Sequence, residues 1–246
     1  TSAARFAEAA EAHRSGRLAE AEAGYRDVLA AVPGEPDAVR MLGLVAAQLG
    51  RPAEALAGTA IAVDRPADPE LHVAVAGALK AGGWSAASLA SLRRALALRP
   101  GFAEAAYNLG NAETARGRND RAAAGYARAL AIRPDYTDAL NNAGPVLLAE
   151  GRLAAARRSL TDAIALEPGH AGAWSNLAVL CQATGDAVSA IRLFRRGLAL
   201  DSGQSAIGSN LLFTMTYAEG VDDDALYRGF RDWEARHARR LYGEAR

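Results

Sequence analysis

The sequence predicts an all-α solenoid, a stack of antiparallel helix pairs, and three observations predict it. Asn108, Asn142, Asn176 and Asn210 stand 34 residues apart without a slip. Glycines recur in one phase at Gly16, Gly50, Gly83, Gly117, Gly151 and Gly185, with one 33-residue step among the 34s. Prolines do the same at Pro33, Pro66, Pro100, Pro134 and Pro168. A fixed period between about 20 and 50 residues marks a stacked-repeat architecture, in which each unit packs only on its neighbours. Function is then expected on a repeated surface rather than in a catalytic pocket.

The period divides the chain at 2–35, 36–68, 69–102, 103–136, 137–170 and 171–204, followed by an altered seventh unit at 205–246. Residues 103–136 serve as the type repeat. A first helix is expected near 103–116, ending at Gly117, a residue suited to the left-handed conformation after a helix C-terminus. A second is expected near 120–133, stopping at Pro134, whose ring and missing donor disfavour continuation.

Small and large residues alternate in this unit at Leu109, Gly110, Ala122, Tyr126, Ala129 and Pro134. The next repeats supply Gly144, Ala156, Leu160, Ala163 and Pro168, then Trp174, Leu177, Ala178, Ala190, Phe194 and Gly197. Leu42, Gly43 and Ala55 follow the pattern earlier, and His72, Val75 and Ala76 follow it loosely. The pattern resembles the tetratricopeptide repeat (TPR) family over residues 2 to about 217. The resemblance implies a right-handed superhelix whose first helices line a concave groove that binds protein or peptide segments.

At about 100° per residue, positions 4, 7, 8 and 11 of a first helix cluster on one side. Position 6 lies roughly 150° from their mean direction. Position 6 is Asn108, Asn142, Asn176 and Asn210, so the resemblance puts these side chains in the groove. Tyr107, Asn111, Asp138, Asn141 and Ser175 share that face, with Glu104 and Ser209. Asparagine is a middling-to-poor helix former, yet its amide both donates and accepts. A ladder of such amides can hold a peptide main chain whatever side chains the peptide carries. The bland alternatives are a tolerated small polar residue, or asparagines that pair with one another. Repeats two and three carry Met41 and Ala74 at this position, so the ladder belongs to the C-terminal half.

In the seventh unit a first helix is expected from Ser205, with Asn210 in phase. Asp222, Asp223 and Asp224 then favour the N-terminus of a longer helix reaching about Tyr242. Leu226, Phe230, Trp233 and Leu241 give it an apolar stripe, and Arg239 and Arg240 suit its C-terminal end. A terminal repeat is atypical when it caps a solenoid. The residues Ser209, Asn210, Leu211, Leu212 and Phe213, then Tyr217, Phe230, Arg231, Asp232, Trp233 and His237, also resemble a family junction. It is the one where the repeats of bacterial O-linked N-acetylglucosamine transferase-like proteins meet the transferase region. That resemblance implies in-register asparagines holding a substrate polypeptide. No catalytic residue of that family falls on this chain, so the chain alone is expected to be inactive. A free-standing scaffold, or the prefix of another enzyme such as a sulfotransferase or methyltransferase, remains open.

Composition narrows the partners. The 28 basic and 28 acidic residues cancel, which leaves no electrostatic footprint for nucleic acid. Only 6% of residues are aromatic while half are hydrophobic, so small residues must carry close helix packing. Cys181 is the only cysteine, excluding an internal disulfide framework and a cysteine-cluster metal site; at position 11 it is expected to be buried. His13, His72, His170 and His237 show no metal spacing, and no cofactor is expected. No apolar run approaches the roughly 18 residues of a membrane span. No signal-peptide pattern is present, so no membrane partner is expected and cytoplasmic residence is the default. The chain begins at Thr1, which suggests a fragment of a longer protein. Nothing demands self-association. A clamp for a terminal carboxylate is not expected, because its positions hold Phe6, Val73, Tyr107, Asn141 and Ser175, with Arg40 as the one cation. Pro145 falls inside the expected first helix of repeat five, so that helix should kink or start late.

Overall fold

Each phased glycine sits where a helix has to stop. In the computed structural model, which describes residues 1–51 and 69–237, the six take φ between 69° and 83°. This left-handed backbone is cheap for glycine alone. The next residue's amide then reaches back to a carbonyl five positions earlier: Arg118 to Glu113 at 3.0 Å, Arg152 to Leu147 at 2.9 Å, Asp186 to Cys181 at 2.9 Å. That bond is the signature of a Schellman turn and satisfies a helix-end carbonyl. It reverses the chain within three or four residues, so the following helix runs back along the first.

Thirteen α-helices and no strand occur among the described residues. The chain divides into two compact units, Thr1–Ile132 and Arg133–Arg246. The first holds α1 (Ser2–Arg14), α2 (Leu18–Ala31), α3 (Pro36–Gln48), α4 (Pro69–Ala81), α5 (Ser85–Leu98), α6 (Ala103–Thr114) and α7 (Asn119–Ile132). The second holds α8 (Thr137–Ala149), α9 (Leu153–Leu166), α10 (Ala171–Ala183), α11 (Ala187–Leu200), α12 (Ser205–Met215) and α13 (Asp223–His237). Within each unit, consecutive helices pack as antiparallel pairs, and first helices of adjacent repeats also touch. The second helix expected for repeat two, with Ala55 and Pro66, lies outside the described residues, as do Arg239, Arg240, Leu241 and Tyr242. No helix among the described residues is long and apolar enough to cross a membrane.

Small residues set the interhelix distance. A Cβ on Gly110 would stand 2.7 Å from the Tyr126 ring, and one on Gly125 would stand 2.7 Å from the Gly110 amide nitrogen. In the next pair Gly144 lies under Leu160, at 2.6 Å by the same measure. The large residues fill the space between helices: Tyr126, Leu160 and Phe194 are almost completely buried, each burial contributing about 1.5–3 kcal/mol. Cys181 is buried at 2% exposure, as its packing position requires.

Of the two outcomes expected for Pro145, a late start does not occur. Helix α8 neither starts late nor ends at it, running from Thr137 to Ala149 with the proline inside. The residue is exposed. Its cost is the hydrogen bond withheld from the Asn141 carbonyl and the crowding of its ring against that carbonyl.

The terminal helix docks through its indole. A Cβ on Gly208 would lie 2.7 Å from Trp233, whose Nε1 donates to the Ser205 carbonyl at 3.2 Å. Gly229 makes the reciprocal approach, with Leu212 at 2.8 Å. The expected apolar stripe is therefore only partly covered. Leu226 and Trp233 are half-buried, whereas Phe230 is exposed.

Candidate functional site

The face expected to bind is built from first helices, through their positions 2, 5, 6 and 9. In the first unit α6 supplies it. Glu104 is exposed, while Tyr107, Asn108 and Asn111 are half-buried. Asn111 is already engaged: its Oδ1 accepts from the Tyr126 hydroxyl at 2.8 Å, and the same hydroxyl meets Thr114 Oγ1 at 3.1 Å. Burial raises the Tyr126 phenol above its ordinary pKa, so the hydroxyl keeps the proton that it gives to Asn111. Tyr107 packs its ring 6.1 Å from that of Tyr126. Among the described residues the side-chain amide of Asn108 makes no hydrogen bond.

In the second unit Asn142, Asn176 and Asn210 lie at the same position of α8, α10 and α12, and all three are half-buried. The first helices that carry them also pack against a first helix of an adjacent repeat. Asn141 is covered almost completely, at 9% exposure. Its Oδ1 accepts from Asn176 Nδ2 at 2.9 Å, and its own Nδ2 donates to Asn142 Oδ1 at 3.0 Å. The asparagines thus do bond to one another, one residue out of register. Asn210 has no side-chain hydrogen bond among the described residues. Asp138 is exposed and Ser175 half-buried.

One neighbour was not legible in the sequence. His170 caps α10, its Nδ1 accepting from the Ala173 amide at 3.1 Å, and its Nε2 lies 3.8 Å from Asp138 Oδ1. Histidine is not a preferred cap, so no signal flagged it. The chemistry of the face is neutral hydrogen bonding, with amide donors and acceptors about one repeat apart. Among the described residues no group of three or more His, Cys, Asp or Glu could hold a metal ion.

A family model described as tetratricopeptide repeat matches residues 6–70 and 77–137, and a second with that description matches residues 147–209. No curated protein matches the chain. Solved structures are similar in fold at low identity. MamA from Desulfovibrio magneticus RS-1 has a TM-score of 0.61 at 20% identity, over 68% of this chain and 93% of that one. PilF of Pseudomonas aeruginosa gives 0.59 at 20%, over 68% and 73%. YrrB, a TPR protein with an unusual peptide-binding site, gives 0.58 at 20%, over 76% and 97%.

Proposed function

The chain belongs to the tetratricopeptide repeat family, whose repeats are protein-interaction modules, and from that premise we propose that it binds extended polypeptide along its first helices. The observation that carries this reading is the recurrence of half-buried asparagine amides at one position of α8, α10 and α12. An amide that is partly covered is held in place by its neighbours, yet keeps an edge for a ligand. Such edges spaced by one repeat suit a main chain, which offers a donor and an acceptor at each residue whatever its side chains. Asn142, Asn176 and Asn210 would form the ladder, with Asn108 its counterpart on α6. Tyr107, Asn111, Asp138 and Ser175 flank it, and Asn141 positions Asn142 and Asn176. That YrrB, a neighbour in fold, has a peptide-binding site agrees with this reading. The test is a chain with Asn142, Asn176 and Asn210 replaced by alanine. Weaker binding of unstructured polypeptides, with the helix content kept, is expected; unchanged binding sinks the reading.

A narrower reading makes the chain the substrate-recognition region of an O-linked N-acetylglucosamine transferase-like enzyme whose catalytic part lies beyond these residues. Its support is the resemblance of the 209–237 segment, together with the exposure of Phe213 and Tyr217 at 62% and 49%. Aromatic residues left in solvent at a junction motif suit a surface that a further domain would cover. The native sequence after Arg246 decides this: a nucleotide-sugar-binding domain supports it, and a stop codon there excludes it.

A further inference from the structure

The asparagine ladder has no counterpart on α3 and α4, and what stands there is a pocket. Met41 occupies the ladder position of α3, and with Leu44, Val73 and Phe102 it lines a cavity of about 410 Å³ on the first-helix face. That is near the lower end of the roughly 300–1,000 Å³ typical of ligand sites. One wall is held by Arg99, whose guanidinium lies over the Phe102 ring at 4.9 Å and also pairs with Glu70.

Gly77 lies in this wall, inside α4, and packing gives no reason for it. It lacks the positive φ of the turn glycines. A Cβ built on it would meet no heavy atom within 4 Å, in contrast to Gly110, Gly125 and Gly144. Glycine is a poor choice in a helix interior, and here neither backbone nor neighbours require it. What a side chain at Gly77 would occupy is the pocket.

The charges at the rim are uneven. Arg40 is bound by Asp37 at 2.8 Å, and Glu70 is matched by Arg99. Glu104 has no ion-pair partner among the described residues. The rim therefore favours a positive group.

We propose that this pocket takes one large apolar side chain of the bound polypeptide, with a basic residue beside it, and that Gly77 keeps it open. The inference rests on the reading above, that first helices bind extended polypeptide, and adds selectivity to it: on the first-helix face of the first unit this pocket would read a side chain. Methionine suits such a site because its flexible thioether adapts to different occupants.

The experiment uses the full chain and three synthetic peptides with one Ser/Gly/Thr background and a central Leu-Lys, Leu-Glu or Ser-Lys pair, measured by fluorescence anisotropy. Leu-Lys should bind more tightly than Ser-Lys by roughly ten- to a hundred-fold, the worth of burying one large apolar side chain. Leu-Glu should fall between them. Gly77→Leu should remove the Leu-Lys advantage without lowering the unfolding midpoint, since leucine is the better helix former. Equal binding of Leu-Lys and Ser-Lys by the native chain overturns the proposal, as does Gly77→Leu with Leu-Lys binding intact, while both results leave the groove reading standing. Leu-Glu binding as tightly as Leu-Lys overturns the basic neighbour. If none of the three binds, the groove reading fails and takes this inference with it.

Discussion

Asn176 donates its Nδ2 hydrogen to Asn141 Oδ1 at 2.9 Å, joining the first helices of two consecutive repeats. Asn141 passes the polarity on, donating to Asn142 Oδ1 at 3.0 Å. Because Asn141 is buried, its own amide groups have no water to turn to if either bond is lost. The relay fixes how the side-chain amides of Asn141 and Asn176 are turned.

This geometry makes an ordered prediction. Asn141→Asp exchanges the buried donor for a second acceptor facing Asn142 Oδ1, and should destabilise by about 1–3 kcal/mol or more. Asn141→Ala removes both bonds but leaves half-exposed partners that water can reach, so it should cost about 1 kcal/mol. Urea unfolding of both variants checks the order. An alanine variant less stable than the aspartate would refute the orientation of the relay.

Glu113 gives a second prediction. It sits at position 11 with 2% exposure, where the next two repeats carry Leu147 and Cys181. One carboxylate oxygen accepts from Arg93 Nη2 at 3.2 Å; the other, Oε2, has no hydrogen-bond partner. Replacing a buried ion pair by an apolar residue is commonly neutral or stabilising by about 1–4 kcal/mol, whereas removing one partner destabilises. Glu113→Leu removes the buried member and leaves an Arg93 that is 57% exposed and stays hydrated, so the melting temperature should hold or rise. Arg93→Ala should lower it, by less than the ~3–5 kcal/mol of a fully buried pair, because Arg93 is 57% exposed. A lower melting temperature for Glu113→Leu would show that the carboxylate is needed where it lies.

These two cases show where sequence reasoning was sufficient and where it stopped. Gly117, Pro134 and the Gly110–Tyr126 pair were legible because each acts locally or at a fixed offset. Helical spacing places position 6 opposite a single buried side. First helices also pack on a first helix of an adjacent repeat, and Asn141 is covered while Asn142, Asn176 and Asn210 are only partly open. Glu113 at a packing position broke the pattern, and its partner on α5 could not be read from spacing. The pocket beside Gly77 needed side chains from three repeats at once, which no single period encodes.

Pro145 supplies a prediction about α8 alone. The penalty is the donor withheld from the Asn141 carbonyl together with the crowding of the ring against it. Pro145→Ala should restore that bond and stabilise the chain by up to about 3 kcal/mol. Thermal unfolding tests this, and a loss of stability would mean that the carbonyl has another use.

The docking of α13 can be broken from its partner helix. Gly208→Val would force a branched Cβ into the Trp233 ring and cost about 1–3 kcal/mol of overpacking. In a Trp84→Phe, Trp174→Phe background the remaining indole should shift its emission to the red as it enters water. Gly208→Val with unchanged emission would show that the indole has room to yield.

Asp186 carries the pH prediction. It caps α11, its Oδ1 accepting from the Ser189 amide at 3.0 Å. The Ser189 hydroxyl, then the Ser189 amide, hold its carboxyl below the ordinary carboxylate value, helped by the charges of Arg192 and Arg157. A folded pKa lower than the unfolded one adds stability that is fully present above the unfolded value. That contribution is lost as pH falls through the folded value. The native chain should therefore lose this increment on going from neutral to acid, superimposed on the losses of other carboxylates. Asp186→Asn keeps a capping oxygen but has no charge to lose. Its unfolding midpoint should start lower near neutrality and fall less steeply than that of the native chain. Parallel curves for the two proteins across the acid range would mean that the cap contributes nothing through its charge.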